Sequence, residues 1–126
     1  MILTVTPNPA IDLTWHVDRL TPGATHRVPS GASRAGGKGL NAARAAASLG
    51  AVVRAVTPLG GASGDWIEAE LNTAGIAVYR AATAAEPRVC VSVAGEGQEL
   101  TEFYEGAPTL LEHEWDALVG LSLIHI

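Results

Sequence analysis

The strongest constraint on this chain is the run Arg34-Ala35-Gly36-Gly37-Lys38-Gly39-Leu40-Asn41-Ala42-Ala43-Arg44, which continues through alanine-rich sequence to Gly50. Three glycines and the only lysine of the protein stand just before strong helix formers. This predicts a flexible, cation-bearing loop feeding a helix N-terminus, where unpaired N–H groups and the positive dipole end favour an anion. Leu40, Ala43, Ala47 and Gly50 recur at helical spacing, and the small alanines let such a helix lie close against a sheet. Gly50 is placed to end it in the left-handed conformation. At this level a glycine-rich turn without a ligand is the alternative, because short glycine patterns also occur without one.

Two phosphate motifs can be set against these residues. A P-loop requires G-x-x-x-x-G-K-[ST], but Ala32 occupies the first glycine position and Gly39 follows the lysine. A dinucleotide fingerprint is formally met by Gly37, Gly39 and Ala42, yet it should follow a strand and precede an acidic residue about 20 positions on. Pro29-Ser30-Gly31-Ala32-Ser33 is a poor strand, and position 57 is Thr57. The dinucleotide site therefore stands second.

Around the loop the pattern alternates strand and helix. Ile2–Thr6 is a β-branched run bounded by Pro7, predicting a strand of a parallel sheet, with Asn8-Pro9 opening the loop at its C-terminal end. Leu13–Val17 and Arg27–Ser30 predict strands joined through the Pro22-Gly23 turn, with Trp15 and His16 on opposite faces and both packed. Ala51–Thr57 predicts a buried strand closed by Pro58-Leu59-Gly60-Gly61. A second helix is expected from Gly64, burying Ile67, Leu71 and Ala74 and stopping at Gly75, before a strand at Ile76–Tyr79. Such alternation argues an α/β fold. In Arg88–Val93 the valines Val89, Val91 and Val93 take one face and Arg88, Cys90 and Ser92 the other. Gly95–Gln98 predicts a hairpin turn into Leu100–Tyr104. Thr109 with Glu112 predicts a capping box for a last helix whose apolar face is Leu111, Trp115, Leu118 and Val119.

Bulk properties exclude some partners. The net charge of −5 argues against nucleic acid or a polybasic membrane contact, and no apolar stretch is long enough to span a bilayer. A single cysteine, Cys90, cannot form an internal disulfide, in keeping with a reducing cytoplasm. His16, His26, His113 and His125 show no metal-ligand spacing with one another or with Cys90.

From Gly36 to Gly60, the register Gly36-Gly37-x-Gly39-x-Asn41-x-Ala43 with Gly50 and Gly60 resembles the first signature of the PfkB (ribokinase-like) carbohydrate kinases. The opening Thr4-Val5-Thr6-Pro7-Asn8-Pro9-Ala10-Ile11-Asp12 is similar to the branch that contains 1-phosphofructokinase and tagatose-6-phosphate kinase. The resemblance runs from Met1 to about Val119. It implies a ribokinase-like α/β fold, a parallel sheet flanked by helices under a small β-sheet lid spanning roughly residues 13–33 and 88–104. In relatives that lid is often a homodimer surface. Residues 1–120 would then be the N-terminal part of the kinase domain. The tail Leu121–Ile126 matches a peptide encoded by one frame of a common sequencing adaptor, so residues 121–126 are expected to be non-native and the gene model truncated.

By resemblance the parent enzyme transfers a phosphoryl group from ATP, with Mg²⁺, to a sugar phosphate. Asp12 and Asn41 would orient the sugar, Gly36 and Gly37 would allow its close approach, and Lys38 and Arg88 would neutralise its phosphate. A carboxylate suits hydroxyls because it only accepts, and a guanidinium fork suits phosphate. The threonine usual before that arginine is Pro87 here, which removes a backbone N–H, and Gly106-Ala107-Pro108 only partly matches the family's Asn-x-Pro-Gly-Pro-like segment. His26-Arg27-Val28 leans towards fructose 1-phosphate over fructose 6-phosphate or tagatose 6-phosphate. The catalytic base and the ATP site are expected outside these residues, which leaves a stand-alone sugar-phosphate-binding module as the alternative for the chain by itself.

Overall fold

The structure, a computed structural model, describes residues 1–125. Seven strands and three helices follow in the order β1 (Ile2–Val5), β2 (Ala10–Val17), β3 (Ser30–Gly36), α1 (Lys38–Ser48), β4 (Val53–Leu59), α2 (Gly61–Thr73), β5 (Ala77–Ala82), β6 (Arg88–Gly95), β7 (Thr101–Tyr104) and α3 (Glu112–Ile124). They build two sheets. β1, β4 and β5 form a parallel sheet with β4 in the middle, and β3-β2-β6-β7 form a second sheet in that order. In the second sheet β2 runs parallel to β6, while β3 and β7 flank them antiparallel.

Alternation along β4 sorts the core. Val53, Ala55 and Leu59 join Leu40 and Ala43 of α1 and Ile67 and Leu71 of α2, while Val56 on the other face joins Ala81 and Leu118 of α3. The parallel sheet is thus sandwiched between α1 and α2 on one side and α3 on the other. Leu40, Leu59, Ile67 and Leu71 are fully buried, each stabilising the fold by roughly 1.5–3 kcal/mol. Gly50 and Gly75, at φ +86° and +77°, follow α1 and α2 in the left-handed conformation that terminates a helix. Among the described residues no helix is long and apolar enough to cross a membrane.

Several boundaries differ from the sequence expectation. β4 runs on through Pro58 to Leu59. The Val56 carbonyl accepts from Thr6 on the β1 side and the Leu59 carbonyl accepts from Thr83 on the β5 side. Pro58 therefore turns its missing N–H towards the β1 side, past the end of that strand, where the ladder loses nothing. The second lid strand is Ser30–Gly36, not Arg27–Ser30, and its first five residues are exposed. An edge strand with no apolar face shows no alternation, and pairing with β2 decides it.

α2 begins at Gly61, three residues earlier than expected, and Ala74 is exposed at its end. α3 is capped two residues later than expected. Glu114, not Glu112, reaches back to the Leu111 N–H at 2.7 Å, and the buried face is Glu114, Leu118 and the half-buried Leu121. Leu111, Trp115 and Val119 are exposed. Residues 121–124 form the end of α3, and the His125 ring stacks on Tyr79 at 3.7 Å. Ile126 lies outside the described residues. Trp15 and His16 do take opposite faces of β2, but both are exposed.

Candidate functional site

The cross-strand register of the second sheet puts chemistry on one face. Arg34, Asp12, Cys90 and Tyr104 stand in one row, and Ala32, Thr14, Ser92 and Glu102 in the next on the same side. Arg88 enters this face at the start of β6, opposite Ala10. The reverse face is apolar, with Leu13, Val91 and Phe103 in one row. Strand periodicity alone makes one side of the lid polar and the other greasy.

The polar face meets the N-terminus of α1. Gly37 is the N-cap at φ +115°, a conformation side chains rarely adopt, and no side chain caps the helix. Its first turn holds no acid. Asn41 follows one turn on, its N–H donating to the Gly37 carbonyl at 2.8 Å. Arg44, one turn further, pairs with Glu70 of α2 at 2.8 Å and donates to the Ala35 carbonyl at 3.1 Å. This partly exposed pair is a modest source of stability, but it ties the end of β3 to both helices, beside the glycines.

Here a cavity of about 380 Å³ opens, bordered by Asp12, Gly37, Lys38, Asn41 and Arg88 together with Thr14, Cys90, Ser92, Glu102 and Tyr104. Gly36 lies against the Asp12 carboxylate, where any Cβ would overlap the carboxylate oxygens. The six residues singled out from the sequence therefore come together, drawn from β2, the end of β3, α1 and β6. A larger hollow of about 660 Å³ continues past Asp12 and Asn41 towards Arg34 and Arg44.

Electrostatics follow from this geometry. Burial raises the Asp12 pKa above its ordinary value, while Arg88 and then Arg34 pull it back and Glu102 pushes it up. Burial likewise raises the Cys90 thiol, which keeps it protonated and a poor nucleophile. Arg88 donates to the Glu105 carbonyl at 3.4 Å, a long contact that leaves most of its donors available. Among the described residues no group of three His, Cys, Asp or Glu side chains could hold a metal ion. His26, noted after the Pro-Gly turn, accepts from the Thr21 N–H at 2.8 Å and so helps close its own loop.

Thr14, Ser92, Glu102, Tyr104 and Arg34 were not singled out from the sequence. Period-2 alternation from Asp12 and Arg88 reaches Thr14 and Ser92; Glu102 and Tyr104 need the β6–β7 register, and Arg34 needs the β2–β3 register. The glycine loop does follow a strand, but β3 belongs to the antiparallel edge of the lid, whereas a dinucleotide fingerprint needs a parallel β–α–β unit.

Comparison with known proteins agrees. The model of the pfkB family carbohydrate kinases matches residues 6–125. Tagatose-6-phosphate kinase of Staphylococcus epidermidis is 38% identical over 110 residues, covering 87% of this chain and 35% of that protein. Among solved structures, phosphofructokinase-2 from Escherichia coli in complex with fructose-6-phosphate superposes with a TM-score of 0.92 at 28% identity, over 98% of this chain and 41% of that one. A possible 1-phosphofructokinase from Thermotoga maritima shares the fold at a TM-score of 0.90 and 23% identity, over 100% of this chain and 42% of that one. The chain thus spans 35% of the length of the curated relatives it matches. Its α/β architecture is ribokinase-like, and the chain belongs to the pfkB family of carbohydrate kinases.

Proposed function

We propose that the full-length protein is a sugar-phosphate kinase that moves a phosphoryl group from ATP to a hydroxyl of fructose 1-phosphate, with fructose 6-phosphate and tagatose 6-phosphate as the other acceptors. One observation carries this: an acid, an amide, a lysine, an arginine and an uncapped helix end border a single cavity. On this reading the residues present bind the acceptor. Asp12 and Asn41 hold its hydroxyls, Gly36 and Gly37 admit it to the backbone, and Lys38 and Arg88 balance its phosphate charge. The lid strands 13–33 and 88–104 cover the sugar and exclude water, which would otherwise compete as acceptor.

ATP and Mg²⁺ do not fit these residues. The acceptor cavity carries two carboxylates, Asp12 and Glu102, which repel a triphosphate. Their sites and the catalytic base are assigned to the rest of the full-length protein, so residues 1–120 alone would bind without turning over. Residues 121–126 are assigned as foreign to it. The apolar reverse of the lid is assigned to a homodimer contact, and a cytoplasmic location suits the substrate.

Steady-state phosphorylation of the three sugar phosphates by the full-length protein, with unphosphorylated fructose as control, tests the assignment. Arg88→Ala is expected to raise KM for the phosphorylated acceptor by about 10–100-fold, as one or two charge-assisted contacts are lost. Equal turnover of fructose and its phosphates would overturn it.

A further inference from the structure

A second, smaller hollow of about 280 Å³ adjoins the acceptor cavity and shares Gly37, Lys38 and Arg88 with it. Its other walls include Thr6, Asn8 and Gly39. Among the described residues, five buried side-chain polar atoms lack a partner. Three of them, Thr6 Oγ1, Asn8 Oδ1 and Arg88 Nε, belong to residues that border this hollow.

Thr6 is the most telling. It is 4% exposed, its N–H donates to the Val56 carbonyl at 2.9 Å, and its own carbonyl accepts from the Thr57 hydroxyl at 2.8 Å. Only the side-chain hydroxyl is idle, and a buried hydroxyl without a partner opposes folding. That hydroxyl also lies against the first turn of α1, where a Cβ on Gly39 would overlap it. An idle donor and an uncapped helix end therefore meet on one small space.

Charge separates the two hollows. The larger one is bordered by Asp12 and Glu102, whereas no carboxylate borders the smaller, and Lys38 and Arg88 reach both. We infer that the hollow beside Thr6 is a phosphoryl-oxyanion subsite, in which the Thr6 hydroxyl donates to an oxyanion seated on the N-terminus of α1 between Lys38 and Arg88. This rests on the proposed kinase function and deepens it, since it sends the phosphoryl group to one hollow and the sugar hydroxyls to the other. The oxyanion is either the phosphate of the acceptor sugar or a phosphoryl group of the donor.

The test uses the full-length protein with Thr6→Val, Thr6→Ser and Asn8→Asp. Thermal shifts are read with inorganic phosphate, with fructose 1-phosphate and with ATP, each alone. Thr6→Val keeps the shape and removes the idle hydroxyl, so its ligand-free Tm should equal or exceed the wild type. Its stabilisation by inorganic phosphate should be lost, Thr6→Ser should retain it, and Asn8→Asp should weaken it by charge. A rise of about tenfold or more in the fructose 1-phosphate dissociation constant of Thr6→Val, with ATP unaffected, assigns the subsite to the acceptor's phosphate. The converse assigns it to the donor. Unchanged binding of all three probes by Thr6→Val and Asn8→Asp overturns the subsite, even where the wild type phosphorylates sugar phosphates. Loss of the phosphate response in a wild type that turns over no sugar phosphate would sustain the subsite and overturn the kinase assignment instead.

Discussion

At Asp12, affinity for the ligand and stability of the empty fold oppose one another. The carboxylate sits part-buried against Gly36, and burial outweighs Arg88 and Arg34 in setting its pKa above the ordinary 3.8. For an acid whose folded pKa is raised, the favourable contribution is present below the unfolded value and is lost as pH rises through the folded one. At neutral pH the ionised Asp12 therefore costs the ligand-free protein stability. Asp12→Asn is expected to raise the ligand-free Tm at pH 7, with the gain shrinking towards pH 4 as the wild-type group protonates. The same change should lower kcat/KM for the sugar phosphate by about 10²–10⁴, from two hydroxyl contacts to a charged acceptor. Tm against pH for both proteins, alongside steady-state kinetics, reads both halves. A lower Tm for the variant at pH 7 would mean that the arginine contacts dominate. Part of this site was legible because Asp12, the glycines and Lys38 lie in compact motifs. Thr6 was read only as strand, since nothing in a sequence says that a hydroxyl will be left without a partner.

Among the elements, legibility followed the source of each one's stability. α1 and α2 carry their own apolar spacing and glycine stops, so helix and terminator could be read together. β3 could not, because Ser30–Gly36 has neither β-branched residues nor a buried face until Ala35 and is a strand only because β2 lies beside it. The start of α3 slipped by two residues because Thr109 and Glu112 offer the same local pattern that Leu111 and Glu114 realise. Tertiary contact decides between them. Glu114 also accepts from the Ala84 N–H at 2.7 Å, fastening α3 to the segment after β5.

That segment leads to Arg88, and a second carboxylate fixes it. Glu86 accepts from the Ser63 N–H at 3.0 Å and from the Ser63 hydroxyl, in the first turn of α2. Hydrogen bonding holds the pKa of both acids below the ordinary 4.5. Here the sign is opposite to that at Asp12. Their stabilisation is full above the unfolded value and is lost as pH falls through the folded one. Glu114→Gln should lower Tm at neutral pH, and the gap from wild type should close as the buffer is taken below about pH 4. A gap that stays constant across pH would show that shape, not charge, fastens the helix.

For the whole molecule, the two faces of the lid are one strand pattern seen from opposite sides, which links assembly to the site. Glu102 and Tyr104 border the acceptor cavity, while Phe103 between them is 58% exposed on the reverse face, on the same side of the sheet as Trp15 at 38%. Large aromatics left open on a sheet face are what an interface would bury, and such residues dominate the energetics of association. If two lids pack through these faces, Phe103→Asp in the full-length protein introduces a charge into that contact. It should raise the dimer dissociation constant by about 100-fold or more, read by sedimentation velocity over a concentration series. Because Phe103 shares β7 with two cavity residues, the same dilution series should raise KM for the sugar phosphate as dimers come apart. Trp66→Asp, an equally exposed tryptophan at 37% on α2, should leave sedimentation unchanged. A wild type that sediments as a monomer at all concentrations, or a Phe103→Asp protein that remains dimeric, would remove the lid from the assembly.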